Sequence, residues 1–204
     1  MNMGKRSALL KADKNSGSIR TFPPAATIKC DGIGVFRSQT ARDVGCLLDL
    51  NPSIASWRCM SVSLDVSGDV HISDFETFHE DGRVVLIDAP DRTNLVDTAS
   101  IEAEAYRQDY HYQLLSRPDV YDGFRLRNAR DLLRYGNHVA PLGDRLRVLA
   151  ALDEHGSLPL VECLKAFLES RPVPGIASLI LHGYLEVDLD DAPLGPESQV
   201  RRIR

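Results

Sequence analysis

Val70-His71-Ile72-Ser73-Asp74-Phe75-Glu76-Thr77-Phe78, the turn Glu80-Asp81-Gly82, and then Val84-Val85-Leu86-Ile87-Asp88-Ala89 form the stretch that decides the fold. Residues 70–78 alternate in character, as a half-buried strand does. The Glu-Asp-Gly triplet supplies a tight turn. The run Val84–Ala89 is nearly continuous in apolar character, the pattern of a strand covered on both faces. Upstream, Ile54–Met60 and Val62–Val66 read as strands, with Ser67-Gly68-Asp69 as a hairpin turn. Downstream the period changes. Ala99–Gln108 reads as a helix and Tyr112–Leu115 as another buried strand. Strand, helix, strand implies a crossover connection beside Val84–Ala89, so the sheet is expected to be mixed and the core α/β (α+β).

Working outward, Val44, Leu47 and Leu48 follow helical spacing from Thr40 to a stop at Asn51-Pro52. Phe124–Tyr135 is a second helix, with Leu126, Ala129 and Leu133 on one face, and the turn-rich Gly136–Gly143 reads as a joint. Beyond it come helices over Asp144–Glu154, Leu160–Ser170 and Val173–His182, then strand-like Tyr184–Leu189 and Gln199–Ile203. Three short helices followed by a ribbon is the order of a winged helix. The division expected is a disordered basic arm over 1–27, a core over 28–138 and a winged-helix-like domain over 139–204.

A hydrophobic fraction of 43% and a charged fraction of 26% are ordinary for a soluble globular chain. No apolar run reaches membrane-spanning length, and Leu9-Leu10 among charges is no secretory signal, so a cytoplasmic location is expected. Cys30, Cys46, Cys59 and Cys163 lack zinc-ligand spacing and read as reduced thiols. The net charge of −5 argues against a general nucleic-acid coat. Positive charge is instead local: Lys5, Arg6, Lys11, Lys14 and Arg20 in the arm, and Arg201, Arg202 and Arg204 in the tail.

The chemistry-bearing feature is Asp74 followed, after one turn, by Asp88. Two acids at the ends of adjacent strands can converge on a hard cation such as Mg²⁺ or Mn²⁺, which takes carboxylate oxygens as ligands. A metal so held activates water against a phosphodiester. Acids near turns are more often simply solvated. His71 and His79 flank Asp74 and read as hydrogen-bonded or exposed histidines.

The order helix, strands, Ser73-Asp74-Phe75, turn, Leu86-Ile87-Asp88-Ala89-Pro90, helix, strand resembles the PD-(D/E)xK nuclease superfamily, and within it the TnsA-like endonuclease subunit of heteromeric transposases. Ser73-Asp74-Phe75 matches that family's Pro-Asp-Phe segment, and Leu86–Pro90 occupies its Glu-x-Lys strand. Ser38-Gln39-Thr40-Ala41-Arg42-Asp43 is similar to its Ser-x-Leu-Glu-Arg-Asp helix start, and Leu126–Tyr135 to the segment closing its core. The likeness spans residues 30–204 and implies a restriction-endonuclease-like core with a winged-helix-like region behind it. Two essential positions depart from the family: its Glu falls at Ala41 and its Lys at Pro90. Alanine cannot ligate a metal, and proline has no ammonium to meet charge developing on a phosphate. Asp43 and Arg92 are the residues through which a migrated site would have to work.

On the Phe124–Tyr135 helix, Arg127, Arg130 and Arg134 recur at i, i+3 and i+7 beside the apolar stripe. Such a row either grips phosphates, which positions without reading sequence, or is a solvated face paired with Asp131. The third C-terminal helix is expected to expose little beyond Ser178 and His182, a poor base-reading surface. Trp57 reads as a core anchor, and Tyr106, Tyr110, Tyr112 and Tyr121 as core rings with hydroxyls at the edge.

The function expected is a nuclease-derived protein without catalysis. It would bind DNA backbone through Lys5, Arg6, Arg127, Arg130, Arg134, Arg201 and Arg202, engage a protein partner through its C-terminal region, and admit a homodimer. Asp74 and Asp88 would be the vestigial site, holding Mg²⁺ or Mn²⁺ only if active. The competing readings are a working metal-dependent endonuclease of a transposition system and a protein-interaction scaffold that binds no DNA.

Overall fold

Ser38 begins the ordered core by capping a helix: its hydroxyl accepts the Ala41 N–H at 3.0 Å and so satisfies a donor the helix itself leaves open. The computed structural model describes residues 22–92 and 97–203 of the 204-residue chain. The cap opens α1 (Gln39–Leu50), which stops before Pro52. Then come β1 (Ile54–Cys59), β2 (Ser63–Val66), β3 (Asp69–Ile72), β4 (Phe75–His79), β5 (Val84–Asp88), α2 (Thr98–Arg107) and β6 (His111–Leu114).

One sheet runs β1-β4-β5-β6. The first two pairings are antiparallel and β5-β6 is parallel, with α2 as the crossover, so the sheet is mixed as the sequence predicts. Register places Phe75 opposite Ile87 and Glu76 opposite Leu86. Side-chain alternation then sorts the two faces. Phe75 and Ile87 join Trp57, α1 and α4 (Arg125–Leu133) in the larger core. Leu86 turns the other way, to a smaller core with Leu64, Val66, Ile101 and Ala105 of β2 and α2. Trp57 is fully buried and its indole N–H donates to Asp49, as expected of an anchor that must satisfy its one donor.

The alternation over residues 70–78 predicts one strand, but the structure has two. β3 pairs only with β2, in a separate two-stranded hairpin, and the ladder resumes at Phe75. At the break the Asp74 N–H donates to the Asp88 carboxylate instead of to a neighbouring strand. Period-2 patterning cannot register that exchange of a backbone partner for a side chain. The expected arm over 1–27 also ends too late. Arg42, buried, donates to the carbonyls of Pro24 and Ala26, and Lys29 caps Asn51 and Ile54, strapping the chain onto α1 and β1 from residue 24 on.

After α3 (Arg117–Tyr121) and α4 come α5 (Leu142–His155), β7 (Ser157–Pro159), α6 (Leu160–Leu164), α7 (Pro172–Leu181), β8 (Leu185–Val187) and β9 (Gln199–Arg202), with a sheet in the order β7-β9-β8. Two details differ from the sequence reading. Ser157–Pro159 is a strand, where Gly156-Ser157 suggested only a break. The helix expected over Leu160–Ser170 ends at Leu164, because buried Asp144 accepts the N–H groups of Leu168, Glu169 and Ser170 and draws that backbone out of helical pairing.

Helix α7 belongs to two cores at once. Ile176 and Leu179 pack with Val148, Leu152, Phe167 and Val200. Ala177 and Leu181 pack into the core of the first sheet. The β8–β9 connection is docked too: Asn128 of α4 donates to the carbonyls of Leu189 and Ala192 and accepts the Leu194 N–H. Gly175 is required within α7 by this packing, since a Cβ there would lie 2.3 Å from Phe167 Cε1.

Candidate functional site

Asp74 and Asp88 meet as the sequence predicts, one at the entrance to β4 and one at the end of β5. Both are buried, Asp88 completely. Each carboxylate accepts a backbone N–H: the Asp74 N–H donates to Asp88 Oδ1 at 2.8 Å, and the Ala89 N–H donates to Asp74 Oδ2 at 3.0 Å. Two ionised carboxylates this close, out of water, need compensating positive charge.

Arginine supplies it. Arg92 Nη1 lies 2.7 Å from Asp74 Oδ1 and 3.7 Å from Asp88 Oδ1, so one guanidinium bridges the pair. Arg37, the residue before the α1 cap, donates to both oxygens of Asp74 at 3.1 Å and to Asp91 at 2.9 Å. The remaining oxygen of Asp88 accepts from His71 Nε2 and from the Tyr112 hydroxyl, each at 2.8 Å. His71 arrives on the β2–β3 hairpin and Tyr112 on β6, and their rings meet edge to face at 6.1 Å.

Electrostatics agree with an ion-pair lattice. Burial alone would raise the Asp88 carboxyl, but the His71 hydrogen bond and the Arg92 charge outweigh it and hold the group below its ordinary value. Asp91 is lowered in the same way, against burial, by Ser38 and Arg37. Tyr112 is pushed up by burial and by the negative charge of Asp88. Burial pulls the Arg37 guanidinium down, and its bond to Asp74 more than reverses that, so Arg37 keeps its proton.

A divalent cation needs carboxylate oxygens free to turn toward it and a further ligand. Both Asp74 oxygens and both Asp88 oxygens are already taken by donors, and among the described residues no group of three His, Cys, Asp or Glu side chains is placed to hold a metal. The residues present do not fit the metal. Asp43 cannot complete the set. Its own oxygens are taken by Gln39, Tyr121 and Arg130, the last at 2.5 Å. Ala41 is buried in the larger core.

The arginine row does not survive as a row. Arg127 and Arg134 are exposed on α4, but Arg130 turns inward to Asp43. Arg134 lies 3.6 Å from Asp131, and Arg202 of β9 pairs with Asp153. Arg201 is exposed on the same strand. Lys5, Arg6 and Arg204, with the rest of the arm over 1–21, lie outside the described residues.

Two further expectations are corrected. Ser178 of α7 is only 3% exposed, because α7 is packed on both sides. Tyr106 is 74% exposed and Tyr121 38%, since they lie on the outer faces of α2 and α3. Sequence reasoning missed Arg37 and Tyr112 as members of the site. Arg37 sits one residue before a capping serine, and Tyr112 directly follows the first residue of a strand parallel to that of Asp88. Those positions were legible; the meeting of their side chains was not.

No described helix is long and apolar enough to cross a membrane. No protein-family model matches the chain, and no curated protein matches it in sequence.

Proposed function

We propose that the chain is a nuclease-derived binding protein, built on the restriction-endonuclease-like plan of the TnsA-like subunits, that holds DNA by its phosphate backbone and does not cut it. The observation that carries this reading is the Arg92 guanidinium bridging Asp74 and Asp88, where a nuclease of that plan would keep a metal. Ala41 and Pro90 at the family's Glu and Lys positions agree with it. Arg127 and Arg134, exposed on α4, and Arg201 on β9 are the cations left to meet phosphate.

The C-terminal order helix, strand, helix, helix, strand, strand, with β9 between β7 and β8, supports a winged-helix-like module. Its third helix and its wing, the connection over 188–198, are docked on the core, so base reading in a major groove is not its role. That same docking favours a second reading, a protein-interaction scaffold.

Salt titration of binding to a labelled random duplex decides between them. Backbone binding gives affinity that falls linearly in log–log form, and Arg127→Ala/Arg134→Ala reduces the slope by about 2, roughly one per lost phosphate contact. Mn²⁺ in the same reaction yields no cleavage. Duplex cutting overturns the inert-core reading, and absence of binding at low salt leaves the scaffold.

A further inference from the structure

Between the C-terminal end of α4 and the N-terminal end of α7 lies an open cleft of about 560 Å³. Arg134, Tyr135, Asn137, His138, Ser170 and Arg171 line it, and no carboxylate does, in a chain that carries a net charge of −5. Its two cations are weakly committed. Arg134 reaches Asp131 only at 3.6 Å, both side chains being more than half exposed, and such a pair is worth little. Arg171 enters no ion pair among the described residues. His138 contributes a ring whose Nε2 is shielded from solvent and has no hydrogen-bond partner.

The walls are held in place. Asp144 accepts the Leu168, Glu169 and Ser170 N–H groups and the Ser170 hydroxyl, which sets Arg171 at the start of α7. The backbone N–H of His138 donates to the Tyr135 carbonyl at 2.8 Å, which holds this stretch of chain against the end of α4. The positive end of α7 adds to the field. Pro172 and Pro174 remove backbone donors there, so the grip falls to the side chains.

We propose that this cleft binds a phosphate group, carried on a nucleotide or on a nucleic-acid backbone. Arg134 and Arg171 are its paired guanidinium forks, whose planar donors match phosphate oxygens. The His138 ring, as part of the cleft wall, reports the anion's arrival. The site goes beyond the backbone-binding reading: it shares Arg134 with that surface, while Arg171 and His138 lie outside it.

Histidine side-chain ¹⁵N NMR on the full chain tests it. The His138 signal is assigned by its loss in His138→Gln, and inorganic phosphate and a short duplex are added in separate arms. Phosphate is expected to move the His138 ring signal, with affinity at least about tenfold weaker in Arg171→Ala and unchanged in Arg127→Ala. Arg171 is exposed, so its variant is expected to keep the wild-type Tm. If the duplex produces the same shift and Arg171→Ala weakens it, the phosphate comes from nucleic acid. A shift with phosphate alone assigns the site to a small phosphate-bearing ligand. No His138 shift in either arm, or wild-type phosphate affinity in Arg171→Ala, overturns the site. Duplex binding that depends on Arg127 can persist in that case, so the two readings fail separately.

Discussion

Replacing Arg92 by methionine keeps most of the apolar stem and removes the charge that bridges Asp74 and Asp88. Removing one partner of a buried ion pair typically costs about 3–5 kcal/mol, because the other charge is left uncompensated. Two features lower that figure. The Arg92 side chain is 17% exposed, so solvent screens part of its interaction. Arg37 also keeps its hold on Asp74. A loss of about 2–3 kcal/mol remains, roughly 5–10 °C in Tm for a chain of this size. The pH dependence identifies the cause. The folded Asp88 carboxyl is held below its ordinary value despite burial, by His71 and Arg92. A depressed carboxylate contributes stability that is present above its unfolded value of about 4 and is lost as pH falls through the folded value. The gap between wild type and Arg92→Met should therefore be widest at neutral pH and narrow as the pH falls below the ordinary carboxylate value of about 4. Urea denaturation across that range measures it. A gap that stays constant with pH would mean that Arg92 acts by packing alone, and the charge-bridge argument would be refuted.

Two further outcomes follow from the structure. Arg130→Ala leaves the buried Asp43 carboxylate with Gln39 and Tyr121 but without its charged partner, and should cost about 1–2 kcal/mol, a low figure because Arg130 is 40% exposed. Asp43→Asn in the same chain should cost less than it does alone, and a double-mutant cycle by urea denaturation reads the coupling. Gly175→Ala, which would ordinarily strengthen a helix, should instead lower stability by about 1–3 kcal/mol through collision with the Phe167 ring. Thermal denaturation of that variant, with Phe167→Leu recovering part of the loss, checks it.

What the sequence made legible was whatever follows from local pattern. The continuous run Val84–Ala89, the change of period after it and the helical spacing of Leu126, Ala129 and Leu133 together specify the mixed sheet and the helices on it. The convergence of Asp74 with Asp88 was readable for the same reason, since a hairpin turn fixes which ends meet. Arg37 and Tyr112 were not readable. Arg37 is 37 residues from its partner Asp74 and Tyr112 is 24 from Asp88, and no spacing rule links them. The arginine row on α4 shows the converse error: periodicity assigns a face, but a buried acid on another helix, Asp43, pulled Arg130 out of it.

Helix α7 has a consequence for how the chain comes apart. Because Ala177 and Leu181 complete the first core while Ile176 and Leu179 complete the second, neither half can lose this helix alone. The expected boundary near residue 138 is thus a seam in the connectivity, not in the cooperativity. Melting is expected as one transition. A fragment ending there would present the side of α4 that α7 covers to water and to other copies, so truncation should yield aggregation in place of a soluble half.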